Sequence, residues 1–163
     1  MSTLESRVQK LEDMEAIKAL KYTYATILDE GYDPERVAAL FTPDGLWSIT
    51  GVGGTARGTE AIKQHSRNLG QDIVWGQHNM FAPIIEVGSD GQSAVGTFYL
   101  VCFLTMKANT HEGKEAYILI GKYKDRFVKV NGKWFFSELV GHIDQSSPWS
   151  EGWVKCPFTK ESW

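Results

Sequence analysis

The chain has 163 residues, 42% hydrophobic and 23% charged, the size and balance of one soluble domain that buries roughly 70% of the surface its unfolded form exposes. A net charge of -3, with 17 dispersed basic residues, provides neither a nucleic-acid footprint nor a polybasic membrane patch. No apolar run reaches the ~18 residues that a membrane span needs, and the opening Met-Ser-Thr-Leu-Glu-Ser lacks the form of a signal peptide, so a cytoplasmic protein is expected.

Ser2, with Glu5 three residues on, has the form of a capping box. Leu4, Val8, Leu11, Ile17, Leu20, Tyr24 and Ile27 then recur at three, four or their sums, which predicts one long helix from about residue 3 to about residue 29. Gly31 stops it. Asp33 and Pro34 restart a short helix as N-cap and first helical residue, turning Val37, Leu40 and Phe41 inward. Thr42-Pro43-Asp44-Gly45 reads as the turn that closes it, Leu46 to Thr50 as a strand, and Thr59 as the cap of a third helix ending at Gly70. From about residue 73 the pattern is long strands, near 93 to 107 and 115 to 130, joined at hairpin signals of which Asn131-Gly132 is the strongest. Phe98 to Leu104 reads as buried on both faces. Helices followed by an antiparallel meander imply an α+β layer structure in which a curved sheet wraps the first helix and leaves a cavity.

Aromatic residues make up 12% of the chain, six of them tryptophans, which suits a pocket for a ring-shaped ligand. The tail from Ser146, with Trp149, Trp153, Phe158 and Trp163, is expected to cover a pocket mouth or pack on a neighbouring subunit. Cys102 in an apolar run and Cys156 in a polar tail read as two separate thiols. Gly51-Val52-Gly53-Gly54-Thr55-Ala56 has the letters of a dinucleotide fingerprint, but the next helix starts at Thr59 and no parallel unit follows, so a flexible turn is the better reading. His65, His78, His111 and His142 show no metal-ligand spacing. Exposure is expected for His65 and His111, whereas His78 and His142 stand in or near apolar strands. Asp29 is placed where an apolar helix stops, an acid at the mouth of the core with Tyr22 and Tyr24 close by.

Met14 to Leu20, Tyr24, Asp29 and Phe41-Thr42-Pro43-Asp44-Gly45 resemble the opening of SnoaL-like proteins in the nuclear transport factor 2-like superfamily. Gln77-His78-Asn79 before Ile84 to Val87, Gly96 to Tyr99, Gly121-Lys122-Tyr123 with Asp125, Gly132-Lys133-Trp134 and Pro148-Trp149 to Gly152-Trp153 continue it in the family's order. The resemblance implies a cone-shaped α+β barrel, with three N-terminal helices packed in a strongly curved mixed or antiparallel sheet. In the superfamily's cofactor-independent lyases, such as scytalone dehydratase and bile acid 7α-dehydratase, an acid from the first helix meets a histidine from a strand. Carried onto this chain, these fall on Asp29 and His78, with Tyr24 as the neighbouring phenol.

On that basis His78 is the expected general base, Asp29 holds its tautomer, and Tyr24 donates to an oxyanion or a leaving hydroxyl. Trp47, Tyr99, Tyr117 and His142 are the expected pocket walls. No metal or organic cofactor is needed, and the partners expected are a small hydrophobic cyclic or aromatic substrate and further copies of the chain in a dimer or trimer. Elimination or a double-bond shift is the leading reaction class; aldol cyclisation shares its first step, and a non-catalytic binding module would leave Asp29 and His78 apart.

Overall fold

The computed structural model describes residues 3–51 and 53–157. Helix α1 runs over Leu4–Asp29, α2 over Pro34–Ala38 and α3 over Thr59–Asp72. The strands are β1 (Phe41–Thr50), β2 (Gly54–Arg57), β3 (Ile73–Val87), β4 (Ser93–Lys107), β5 (Lys114–Val130) and β6 (Lys133–Pro148), and a single turn, α4, occupies Gly152–Lys155. They form one six-stranded sheet in the order β2-β1-β6-β5-β4-β3. Every pairing is antiparallel except β1 with β6, which is parallel. The helices line the concave face, giving the mixed α+β cone expected from the sequence.

The ends of the elements follow the local chemistry with some corrections. The side chain of Thr3 caps α1 by accepting from the Ser6 N–H at 3.2 Å; the predicted cap, Ser2, lies outside the described residues. Asp33 caps α2 as predicted, accepting from the backbone of Glu35 and Arg36. Gly58, not Thr59, is the residue before α3, and no side chain caps that helix. Thr42 to Gly45 do not close α2. They bulge out of β1, where Phe41 pairs with Phe136 and the next partners are Leu46 and Glu138. The glycine-rich segment turns β1 back into β2, a strand the sequence did not announce. Gly53 is required there because a Cβ would come within 2.5 Å of that of Ile49.

Along α1 the buried positions Asp13, Ile17, Leu20, Lys21, Tyr24 and Leu28 form one stripe against the sheet. Leu4, Val8 and Leu11, predicted to continue it, are exposed because the helix overhangs the cone there. In β4 the burial alternates, with Phe98, Leu100, Cys102 and Leu104 buried between half-buried or exposed neighbours. The strand therefore covers the core with one face only, unlike the two-sided burial predicted for it. Register shifts at Phe81/Ile84, Ile120/Gly121 and Arg126/Phe127 curve the sheet. At Gly121 the strands close so tightly that a Cβ would run into the carbonyl oxygen of His142.

Asp13 fastens the first half of α1 to the sheet through Lys129 and the Trp134 ring N–H, and a fully buried ion pair holds the second half inside this curve. Lys21 Nζ lies 2.8 Å from Asp125 Oδ2, with neither side chain exposed. Asp125 Oδ1 accepts the Val140 N–H at 3.1 Å, and the ammonium stands 3.3 Å from the centroid of the Tyr123 ring. Burial pulls the Lys21 ammonium down to about 8 and pushes the Asp125 carboxyl up, so desolvation outweighs the attraction and the pair specifies the packing more than it strengthens it. Asp125→Ala, which strands a buried ammonium, is expected to cost about 3–5 kcal/mol in urea unfolding. The Lys21→Met/Asp125→Leu pair should recover most of that loss; an equal loss in both variants would contradict the assignment.

Candidate active site

Asp29 is the last residue of α1, and His78 points to the inner face of β3, beside that helix end. Asp29 Oδ1 is 2.6 Å from His78 Nδ1, and the same carboxylate accepts the backbone N–H of His78 at 3.0 and 3.2 Å. An ionised carboxylate can only accept. Nδ1 must therefore carry hydrogen, and in the neutral ring the lone pair is left on Nε2. The imidazole is largely buried, its side chain 7% exposed, while the carboxylate keeps a partly open side at 29%.

The imidazole lines a cavity of about 50 Å³. Tyr24, Tyr32, Trp47, Cys102 and Tyr123 line it together with aliphatic residues such as Leu28, Ile49 and Leu100. Leu69 and Ile73, only partly buried, complete the lining. Apart from the His78–Asp29 pair, the groups around the cavity are apolar or neutral donors. Burial pushes the phenols of Tyr24, Tyr32 and Tyr123 and the thiol of Cys102 well above their usual ranges, so all four remain protonated.

The phenol nearest the base is not one the sequence singled out. Tyr32 Oη lies 3.4 Å from His78 Nε2, and the two rings meet edge to face at 6.1 Å. Tyr32 sits just past the end of α1 in a left-handed backbone conformation, φ 60°, which a bulky side chain rarely adopts. Its N–H donates to the Ile27 carbonyl, and its own carbonyl accepts from the buried Ser66 hydroxyl at 2.7 Å, so both neighbouring helices fix the strained residue. Tyr24 lines the same cavity, but its hydroxyl engages that of Tyr123. Tyr22 is 43% exposed and turned away from the cavity.

The four predicted pocket walls part company. Trp47 is buried and lines the cavity, edge-on to Tyr24 at 5.8 Å. Tyr99 points to the outer face of β4 and is 55% exposed, because the even-numbered residues of that strand take the inner face. His142, between the buried Gly141 and Ile143, also faces outward, with Nδ1 2.8 Å from the Thr50 hydroxyl. Tyr117 packs against the core without lining the cavity and donates to Glu115 at 2.8 Å. His65 is not solvated as predicted; it packs edge-on against Trp47 at 4.8 Å, and burial lowers its basicity. His111 is exposed. The described tail lies on the outer sheet face, with Trp149 against Phe103, while Phe158 and Trp163 fall outside the described residues. Cys102 and Cys156 are both free. Among the described residues no three His, Cys, Asp or Glu side chains converge as a metal site requires, and no helix is long and apolar enough to cross a membrane.

The SnoaL-like domain family matches residues 9–140, which spans Asp29, Tyr32, Trp47 and His78. The chain belongs to this family. This SnoaL-like protein is similar in structure to a hexachlorocyclohexane dehydrochlorinase (LinA) type 2, with a TM-score of 0.76 and 21% identity over 87% of this chain and 92% of that one. A provisionally named scytalone dehydratase from Novosphingobium aromaticivorans DSM 12444 gives a TM-score of 0.76 and 24% identity over 88% and 91%. A protein of unknown function from Mycobacterium tuberculosis gives 0.69 and 25% over 83% and 78%. No curated protein matches the sequence.

The hydrogen-bond geometry fixes an expected tautomer for His78. In ¹⁵N-detected NMR near neutral pH, any neutral population should show a protonated Nδ1 and a bare Nε2, and Asp29→Ala should collapse this into a mixture. A neutral ring protonated at Nε2 in the wild-type protein would contradict the site as described.

Proposed function

We propose that this SnoaL-like protein is a cofactor-independent lyase that eliminates a small group from, or shifts a double bond in, a small and largely apolar cyclic or aromatic substrate. His78 takes a proton from carbon through Nε2, Asp29 orients the ring and stabilises the imidazolium, and Tyr24, whose hydroxyl engages Tyr123, closes the cavity wall beside them. The observation that carries this reading is the 2.6 Å contact between Asp29 and His78, with the imidazole lining an apolar cavity. A binding module has no need of an imidazole whose free nitrogen is prepared in this way, and the structural neighbours named for dehydratase and dehydrochlorinase activity add support. Ring closure by aldol chemistry begins with the same proton abstraction and is the second reading.

The reading is tested by following conjugated product in the ultraviolet with β-hydroxy and β-halo cyclic ketones. His78→Ala and Asp29→Asn are each expected to lower turnover by roughly 10²-fold or more while leaving the thermal midpoint near that of the wild type; unchanged turnover in both would end the proposal. Assembly into a dimer or trimer belongs to the same reading, supported by the exposed Trp75, Phe81, Tyr99 and Trp149 along the outer face of the sheet. Sedimentation velocity at micromolar concentration should show the oligomer, and a single monomeric species would remove it.

A further inference from the structure

We infer that Tyr32 is the general acid of the elimination, which directs the site to substrates that lose a hydroxyl group from the carbon β to a carbonyl. The inference rests on the lyase reading above and goes beyond it by naming the acid and the leaving group.

Three observations meet at this residue. Its hydroxyl is the side-chain partner of His78 Nε2, at 3.4 Å. It lines the same cavity as the base. Its backbone is held at φ 60° by hydrogen bonds to α1 and α3, a conformation that costs on the order of 1–3 kcal/mol and persists where the surroundings enforce it. A phenol needed only to fill space would not require that backbone; one that must present its oxygen to Nε2 from the end of α1 has few other routes. Tyr24, the other candidate acid, has its hydroxyl turned to Tyr123.

Hydroxide is a poor leaving group, since its conjugate acid, water, is a very weak acid, so a departing hydroxyl needs a proton as the C–O bond breaks. Chloride, the anion of a strong acid, leaves without one. The cavity supplies phenols and lacks a lysine or arginine among its lining residues, because Lys21 is spent on Asp125. The proton inventory closes on itself. His78 Nε2 removes hydrogen from the carbon next to the carbonyl, and the C–H electron pair becomes the new C=C bond. The C–O pair leaves with oxygen, which takes the proton of Tyr32 and departs as water. The Tyr32 phenolate then recovers a proton from the neighbouring imidazolium, and both residues return to their starting states.

The test uses the full chain with two probes that give the same enone, 3-hydroxycyclohexanone and 3-chlorocyclohexanone, after subtraction of the uncatalysed rates. Tyr32→Phe keeps the ring and removes the acid. It is expected to lower kcat for the hydroxy ketone by roughly 10²-fold or more and to leave the chloro ketone within about threefold. His78→Ala should slow both. An equal loss on the two probes in Tyr32→Phe would assign Tyr32 a packing role and overturn the inference, as would wild-type activity on the chloro ketone alone. Wild-type protein that accelerates neither probe counts against the lyase reading itself. A retained thermal midpoint and an altered ¹⁵N signal of His78 Nε2 in Tyr32→Phe distinguish loss of the hydroxyl from loss of the fold.

Discussion

The carboxylate of Asp29 joins two parts of the molecule that the chain places 49 residues apart. By accepting from both the backbone and the ring of His78, it ties the end of α1 to β3 and selects the nitrogen that is left bare. A single oxygen-rich group thus sets the position, tautomer and direction of the imidazole. Neither a helix end nor a strand alone could do so, because the ring nitrogen must be held from the side opposite the cavity.

The same helix carries a second buried charge two turns earlier, and the two have opposite duties. Lys21 and Asp125 are shut away from solvent and spend their charges on each other and on the face of Tyr123. Asp29 and His78 stand at the edge of the interior, with the carboxylate partly open and the imidazole facing unfilled space. Tyr24 and Tyr123 lie between them and separate the structural pair from the pair with free valence. Such a division keeps a positive charge close to the cavity without exposing it there, which fits a site whose electrophilic groups are neutral phenols.

Tyr32 shows where strain enters. The backbone past α1 reverses through Gly31 and then through a tyrosine, although a second glycine would meet the conformation at less cost. Hydrogen bonds to the Ile27 carbonyl and from the Ser66 hydroxyl hold the reversal in place, and the phenol lies beside Nε2. The strained residue lies at the candidate site, where departures from local preference are most often found.

Helix periodicity, the Asp33-Pro34 start, the Asn131-Gly132 hairpin and the order of helices before strands were legible in the residues, because each depends on contacts within a few positions. So was the meeting of Asp29 with His78, through the resemblance of ordered motifs. Tyr99 and His142 fall on the outer face, where both line a separate pocket of about 400 Å³, because side chains alternate along a strand and one residue of parity decides which face each takes. Tyr32 was missed because a loop residue carries no period. Composition and local pattern by themselves determined the elements and their class. Which phenol faces Nε2, which aromatics face solvent and how much space remains were decided only by the tertiary structure, since these depend on the curvature of the sheet and on a backbone turn that no short stretch of sequence encodes.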